Sequence, residues 1–232
     1  MRRVLRACST VLIVAGALMI ADAGVTLAWQ EPVSALIGRI NQNRLAGQLE
    51  RIERARPTPV QRKALAALPT PTRRIAFLAR LARRDAQTGD PIGRIEIPRI
   101  GADFVVVQGT DGGSLRKGPG HYPETTFPGL DGTVAIAGHR TTYLAPFRHV
   151  DELRPGDAIV LRMPYGRFTY AVQRTRIVPH DALWVTRDVG YERLVLSACH
   201  PLYSAAERIV VFARLRAVLP RGSAVRRRAA LG

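Results

Sequence analysis

Cysteine is scarce: Cys8 and Cys199 are the only two in 232 residues. A pair this small cannot make a disulfide framework, and the two cannot bond at all if a membrane separates them. Acidic residues are also few, 18 against 35 basic ones, which leaves a net charge of +17. No acidic cluster resembles a calcium loop, and His121, His149 and His180 have no ligand-like spacing, so no metal site and no cofactor is expected. Aromatic residues make up 6% and do not interleave with the basic ones. With no zinc-finger spacing and no helix-turn-helix signal, this argues against nucleic acid as a partner. Internal repeats and low-complexity tracts are lacking too.

The positive charge is uneven. Residues 1–29 carry +2, residues 30–90 carry +7, residues 91–219 carry +4 and residues 220–232 carry +4. Most of it therefore sits in flanking segments, where it suits anionic lipid or wall polymer better than nucleic acid, or simply solvates those segments.

Met1-Arg-Arg-Val-Leu-Arg6 precedes a mostly apolar run from Ala7 to Trp29, interrupted by Asp22. About 20 apolar residues span a bilayer as a helix. The three arginines put the amino end in the cytoplasm and everything after Trp29 outside, with Trp29 at the outer interface. A signal peptide cleaved near Ala21-Asp22-Ala23 is the rival reading; apolar sequence continuing past that site favours an uncleaved anchor. Cys8 reads as a packed, inert membrane residue.

Residues 30–90 read as a helical, proline-broken, basic stalk. Leu36, Ile40, Leu45, Leu49 and Ile52 mark a helix over Ser34–Ala55, Pro57, Pro59, Pro69 and Pro71 interrupt it, and Ile75–Arg84 is a second short helix. The apolar stripe suits a spacer, packing on the next domain, or pairing between chains.

At Pro91 the period changes. Ile92–Ile97, Phe104–Gln108, Thr133–Ala137, Ala158–Met163, Phe168–Val178, Leu194–Ser197 and Arg208–Ala217 are β-branched-rich runs bounded by Gly, Pro and Asp. Seven short strands predict a mainly β domain over residues 91–218, a barrel or a sandwich. Pro146–Leu153 is a candidate helical turn. The basic tail, residues 219–232, reads as disordered from Arg221 onward.

Three residues in this domain suit one chemistry. Cys199 ends an apolar strand, His139 ends another after Thr133-Val-Ala-Ile-Ala-Gly, and Arg208 begins the strand that follows Cys199. An unpaired thiol outside the cell invites a functional reason. A thiolate can attack a peptide carbonyl, an imidazole can shuttle the proton, and a guanidinium can stabilise the oxyanion. His200 adjoins the nucleophile and could line the groove.

Gly138-His139-Arg-Thr-Thr-Tyr-Leu-Ala-Pro-Phe147, Leu196-Ser-Ala-Cys199-His-Pro201 and Arg208 together resemble the sortase family, most of all its class E members from high-GC Gram-positive bacteria. Gly118-Pro-Gly-His-Tyr122-Pro and Leu153-Arg-Pro-Gly-Asp157 add to the likeness, which covers about residues 91–218. The resemblance implies a closed eight-stranded β-barrel, one strand more than the runs above. It makes Cys199 the nucleophile, His139 the acid/base and Arg208 the carbonyl or oxyanion stabiliser. It implies cleavage between Thr and Gly of a carboxy-terminal Leu-Ala-x-Thr-Gly or Leu-Pro-x-Thr-Gly sorting signal on a surface protein. The acyl group then passes to a peptidoglycan precursor amine. Substrate-contacting candidates are Tyr122, Tyr143, Leu196, Ser197, Ala198 and His200.

Two positions depart from the family pattern. Ala198 stands where Thr is common, removing a hydroxyl that could touch substrate, and Leu144 stands where Gly is common, which is expected to narrow the groove. A papain-like peptidase would place Cys before His, and the His-Pro after Cys199 does not fit an L,D-transpeptidase. The non-enzymatic alternative is a membrane-tethered basic module that binds wall polymer or acidic lipid, in which Cys199 would be dispensable.

Overall fold

A computed structural model describes residues 2–28 and 32–225. Trp29 and residues 226–232 of the expected tail lie outside the described residues. Helix α1, Arg2–Ala28, contains the one segment among the described residues that is long and apolar enough to cross a membrane, Arg3–Gly24. Its large apolar side chains Leu12, Ile13, Leu18 and Ile20 are exposed.

Helices α2 (Pro32–Arg54), α3 (Pro59–Ala67) and α4 (Pro71–Asp85) follow. The prolines that break the helical pattern also start these helices. Thr58 and Thr70 are N-caps, each with Pro at the first helical position, where a missing N–H is not felt. Thr58 and Gln61 complete a capping box.

The eight strands are β1 (Pro91–Ile97), β2 (Ala102–Gln108), β3 (Gly120–His121), β4 (Thr133–Ala137), β5 (Ala158–Met163), β6 (Gly166–Pro179), β7 (Arg193–His200) and β8 (Glu207–Pro220). They close into a barrel in the order β1-β2-β3-β4-β7-β8-β6-β5. Seven match the runs read from the sequence. The eighth, β3, has two residues, too few for any period to show, yet it bridges β2 and β4 and so closes the barrel. Val150–Glu152, within the expected helical turn, forms a single short 3-10 turn.

Alternation along the strands sorts side chains into two sets. Inward, Ile95, Ile136, Ile159, Leu161, Phe168, Tyr170, Leu194, Leu196, Ala198, Ile209 and Val211 fill the barrel. Outward residues form two further clusters. Val105 and Val107 of β2 are covered by Leu45 and Leu49 of α2. Ala135, Val195, Val210 and Phe212 of β4, β7 and β8 are covered by Val178, Ala182 and Val185 at and after the end of β6.

Of the roles open to the helical region, packing on the barrel is therefore realised. Ile75 and Ala79 of α4 belong to the main core, and Gln42 of α2 bonds the β2 backbone, accepting from Val105 N–H at 2.7 Å and donating to Val105 O at 3.1 Å. The expectation of disorder from Arg221 onward is corrected over residues 221–225. Gly222–Ala224 forms a turn, Ala224 is fully buried, and its carbonyl accepts from Arg74 Nε at 2.9 Å. The apolar Ala224 anchors the stretch, and Arg221 Nη1 pairs with Glu53 Oε1 of α2 at 3.6 Å.

Candidate active site

Strands β4 and β7 run parallel, with Ala137 opposite Ser197. The ladder continues one step through Gly138 N–H to Ser197 O at 3.0 Å. His139 and Cys199 each lie two residues beyond the Ala137/Ser197 pair, so they sit side by side at the same edge of the sheet. Strand β8 runs antiparallel to β7, and Arg208 is directly opposite Cys199. Directly opposed residues project to the same face. For Cys199 and Arg208 that is the outer face, because Val195 and Val210 lie on it and Leu196, Ala198 and Ile209 lie on the other. Thiol and guanidinium are thus brought to one outer edge of the barrel, His139 follows the end of the neighbouring β4 by two residues, and all three residues are half-buried.

Burial pushes the His139 imidazole below its ordinary value, and the Arg116 guanidinium adds to the effect. The resting ring is held neutral, able to take a proton rather than already carrying one. Arg116 follows the short helix α5 (Gly112–Leu115), capped by Asp111, which accepts from Gly113 and Ser114 N–H. Arg208 Nη1 donates to the carbonyls of Ala205 and Glu207 at 3.0 and 2.9 Å. These bonds hold one side of its fork, while Nε and Nη2 have no bond to the described residues.

Tyr143 packs its ring on His139, centroids 5.5 Å apart, and its N–H donates to Ser34 Oγ of α2 at 3.3 Å. Tyr143, Leu144 and Ala145 all have positive φ, +50°, +68° and +41°. A glycine at 144 would relieve one of these, and Leu144 accepts the strain. Leu144 also meets α2: a Cβ added at Gly38 would lie 2.9 Å from Leu144 Cγ. The amino-terminal half of α2 is therefore seated on the loop that carries the histidine.

Tyr122 packs against the outer apolar cluster formed around Val195 and Val210, on the same face as Cys199 and Arg208. Ser197 shares the face of Cys199 and is nearly buried. Three other candidates need correction. Leu196 and Ala198 turn into the barrel core, 0% and 3% exposed, so their side chains support the strand from behind and do not line a groove. By the same reasoning a hydroxyl at 198 would point inward, and Ala198 alters packing rather than substrate contact. His200 also lies on the inner side, at the open end, where its Nδ1 meets Arg140 Nη1 at 3.3 Å.

His121 is buried and pushed down to about 4 by desolvation, with bonds to Gln108 and the Thr126 carbonyl. It braces the β3 turn. Among the described residues no group of three His, Cys, Asp or Glu side chains could hold a metal ion. A cavity of about 680 Å³ between the ends of α2, α3 and the Gly222 turn is lined by Arg54, Arg56, Arg62 and Arg74, with Ser223 its one hydroxyl and no cysteine or histidine. The sequence motifs do not single out Arg116, Ser34, Arg140 or Asp151. The only signal in the sequence is that Arg140 follows His139.

Residues 95–216, more than half of the chain, match the sortase domain family. Sortase D of Bacillus subtilis is 36% identical over 132 residues, covering 55% of this chain and 65% of that protein. Sortase SrtE1 of Streptomyces coelicolor is 25% identical, covering 58% and 43%. The chain thus spans less than two thirds of the length of these curated relatives. Sortase E of Streptomyces avermitilis superposes with a TM-score of 0.53 at 34% identity, covering 58% of this chain and 93% of that one. SrtF of Corynebacterium diphtheriae gives a TM-score of 0.56 at 26% identity, covering 59% and 89%. With the closed barrel and the strand order already described, this match shows that the chain belongs to the sortase family.

Proposed function

We propose that this protein is a membrane-anchored cysteine transpeptidase that works with Cys199, His139 and Arg208. The observation that carries the reading is the pairing of β4, β7 and β8, in which Cys199 and Arg208 are directly opposed and His139 follows the end of β4 by two residues.

In this reading His139 takes the proton from the Cys199 thiol as the sulfur attacks the carbonyl carbon of a Thr–Gly bond. Charge develops on the carbonyl oxygen, where Arg208 Nε and Nη2 donate to it. The C–N bond breaks, the departing amine takes the proton from His139, and a thioester remains on Cys199. An acceptor amine then gives a proton to His139 and attacks the thioester, and the thiolate leaves. A neutral resting His139, which its burial supports, is the form needed at the first step.

The substrate assigned is a carboxy-terminal Leu-Ala-x-Thr-Gly or Leu-Pro-x-Thr-Gly signal on a surface protein, and the acceptor is a peptidoglycan precursor amine. A solved relative, Sortase E1 from Streptomyces coelicolor, holds a tripeptide in its active site, which supports a peptide ligand here. Tyr122 and Tyr143 border the site and are proposed to contact that peptide. The exposed apolar face of α1 supports an uncleaved anchor with the amino end in the cytoplasm and the barrel outside.

The test uses the full chain in detergent, because Ile75 and Ala79 of α4 are part of the barrel core. Wild type and Cys199→Ala are incubated with both peptides and an amine, and products are followed by mass spectrometry. Thr–Gly cleavage with amine transfer in wild type and none in the variant is expected. A Cys199→Ala protein as active as wild type would sink the assignment.

A further inference from the structure

Cys199 and His200 are consecutive on β7, so they project to opposite sides of the sheet. His139 and Arg140 are consecutive on the loop after β4. On the outer side stands Cys199. On the inner side, at the open end of the barrel, Arg140 Nη1 lies 3.3 Å from His200 Nδ1.

The chemistry of that contact has one direction. A guanidinium has five N–H donors and no acceptor, so Arg140 donates and His200 Nδ1 accepts. The single ring proton of His200 is then on Nε2. The acidic side chain opposite His200 on β8, Glu207, is exposed and forms no ion pair with the ring.

Arg140 is an immobile donor. It is 3% exposed, and its Nε and Nη2 groups are both engaged. Nη2 pairs with Asp151 Oδ2 at 2.8 Å and with the Arg148 carbonyl at 3.2 Å, while Nε donates to the same carbonyl at 3.3 Å. Burial of a charge is tolerated only with such partners. The guanidinium therefore ties the end of β7 to the loop that carries His139 and to the turn at Asp151.

We propose that Arg140 and His200 are positioning residues, whose bond behind the sheet sets the separation of His139 from Cys199 in front of it. The proposal rests on the assignment of Cys199 and His139 as catalytic residues. A displacement of about 1 Å in such a pair lowers a rate on the order of a hundredfold, whereas substrate binding elsewhere in the groove is untouched.

The experiment compares His200→Leu and His200→Asn with wild type in the full chain, since His200 is half-buried and both changes leave Arg140 its Asp151 partner. His200→Leu removes the acceptor, and kcat is expected to fall roughly tenfold or more with KM within about twofold of wild type. His200→Asn keeps an acceptor near the Nδ1 position and is expected to recover most of the lost kcat. Wild-type kcat in His200→Leu, or an equal loss in both variants, overturns the proposal. A fall confined to KM overturns it as well, because that would make His200 a substrate contact. Ring ¹⁵N spectra of the inactive Cys199→Ala chain read the bond without turnover: a proton on Nε2 is expected, and one on Nδ1 overturns the proposal. Absence of Cys199-dependent turnover in wild type would defeat the catalytic reading, and the ring spectrum would still decide whether the bond exists.

Discussion

Two outer faces of one barrel are built from similar residues and end in different states. On the β2 face, Val105 and Val107 are sealed by Leu45 and Leu49 of α2. On the β4–β7–β8 face, Val195, Val210 and Phe212 are sealed by Val178 and Val185, with Trp184 stacked on Phe212 at 6.2 Å. That second cover stops short. Two residues beyond Ala137 and Ser197 the face opens, and there the half-buried His139, Cys199 and Arg208 stand. Burial with a gap gives a low-dielectric edge, and charge–charge terms are stronger there than in water. The difference between the faces is thus one of how far the covering segment reaches, not of strand composition.

The largest effect that would sharpen this contrast is on the open face. Arg208→Lys keeps the charge and loses the planar fork, so kcat/KM should fall about 10²–10³-fold while the thermal midpoint stays close to wild type. Steady-state kinetics with the cleaved peptide measures this, and a fall under threefold would remove Arg208 from the reaction.

The closed face should respond the opposite way. Leu49→Ala empties a packed contact with Val105 and Val107 and is expected to destabilise by about 2–5 kcal/mol in denaturant titration. Below its midpoint, kcat should be unchanged; a selective loss of kcat with normal stability would mean that α2 acts on the chemistry.

Acid should loosen the barrel near β3. The folded-state value of His121 is about 4, against about 6.5 unfolded, so the unfolded chain binds the extra proton between those limits. Stability is complete above about pH 6.5 and falls as pH drops towards 4, by roughly 3 kcal/mol from this group. His139, lowered in the same direction, adds to the loss. Urea midpoints of wild type and His121→Gln at pH 7 and pH 4.5 measure the difference; equal slopes against pH would contradict it.

The smallest effect belongs to the partial cover. Trp184 is 40% exposed, and Trp184→Ala should destabilise by only about 1 kcal/mol, the worth of its stack on Phe212. If kcat/KM rises or falls tenfold instead, the cover extends into the working groove.

Elements with local periodicity are legible in the amino-acid order alone. Thr133–Ala137 and Ala158–Met163 agree with the strands to the residue, because each is a run of β-branched or apolar side chains between turn formers. The apolar run Arg3–Gly24 is equally plain. Strand β3 is not, since two residues carry no period. Nor is the burial of Ala224, which Arg74 holds from 150 positions away. Among the site residues, Cys199, His139 and Arg208 stand out through their motifs, whereas the motif does not show that Leu196 and Ala198 turn into the core and that His200 takes the inner side of β7. Two of them, Ala198 and His200, adjoin Cys199 in sequence and for that reason fall on the opposite face of the strand.

By itself, the sequence determined what depends on neighbours a few positions away: helix starts at capped prolines, strand runs, the apolar amino-terminal helix and the family motifs. Which strands pair, which face Cys199 takes, and which arginine meets which carbonyl were decided only in three dimensions. Those choices depend on contacts between residues tens of positions apart, and a pleated strand sends each successive side chain to the other side of the sheet.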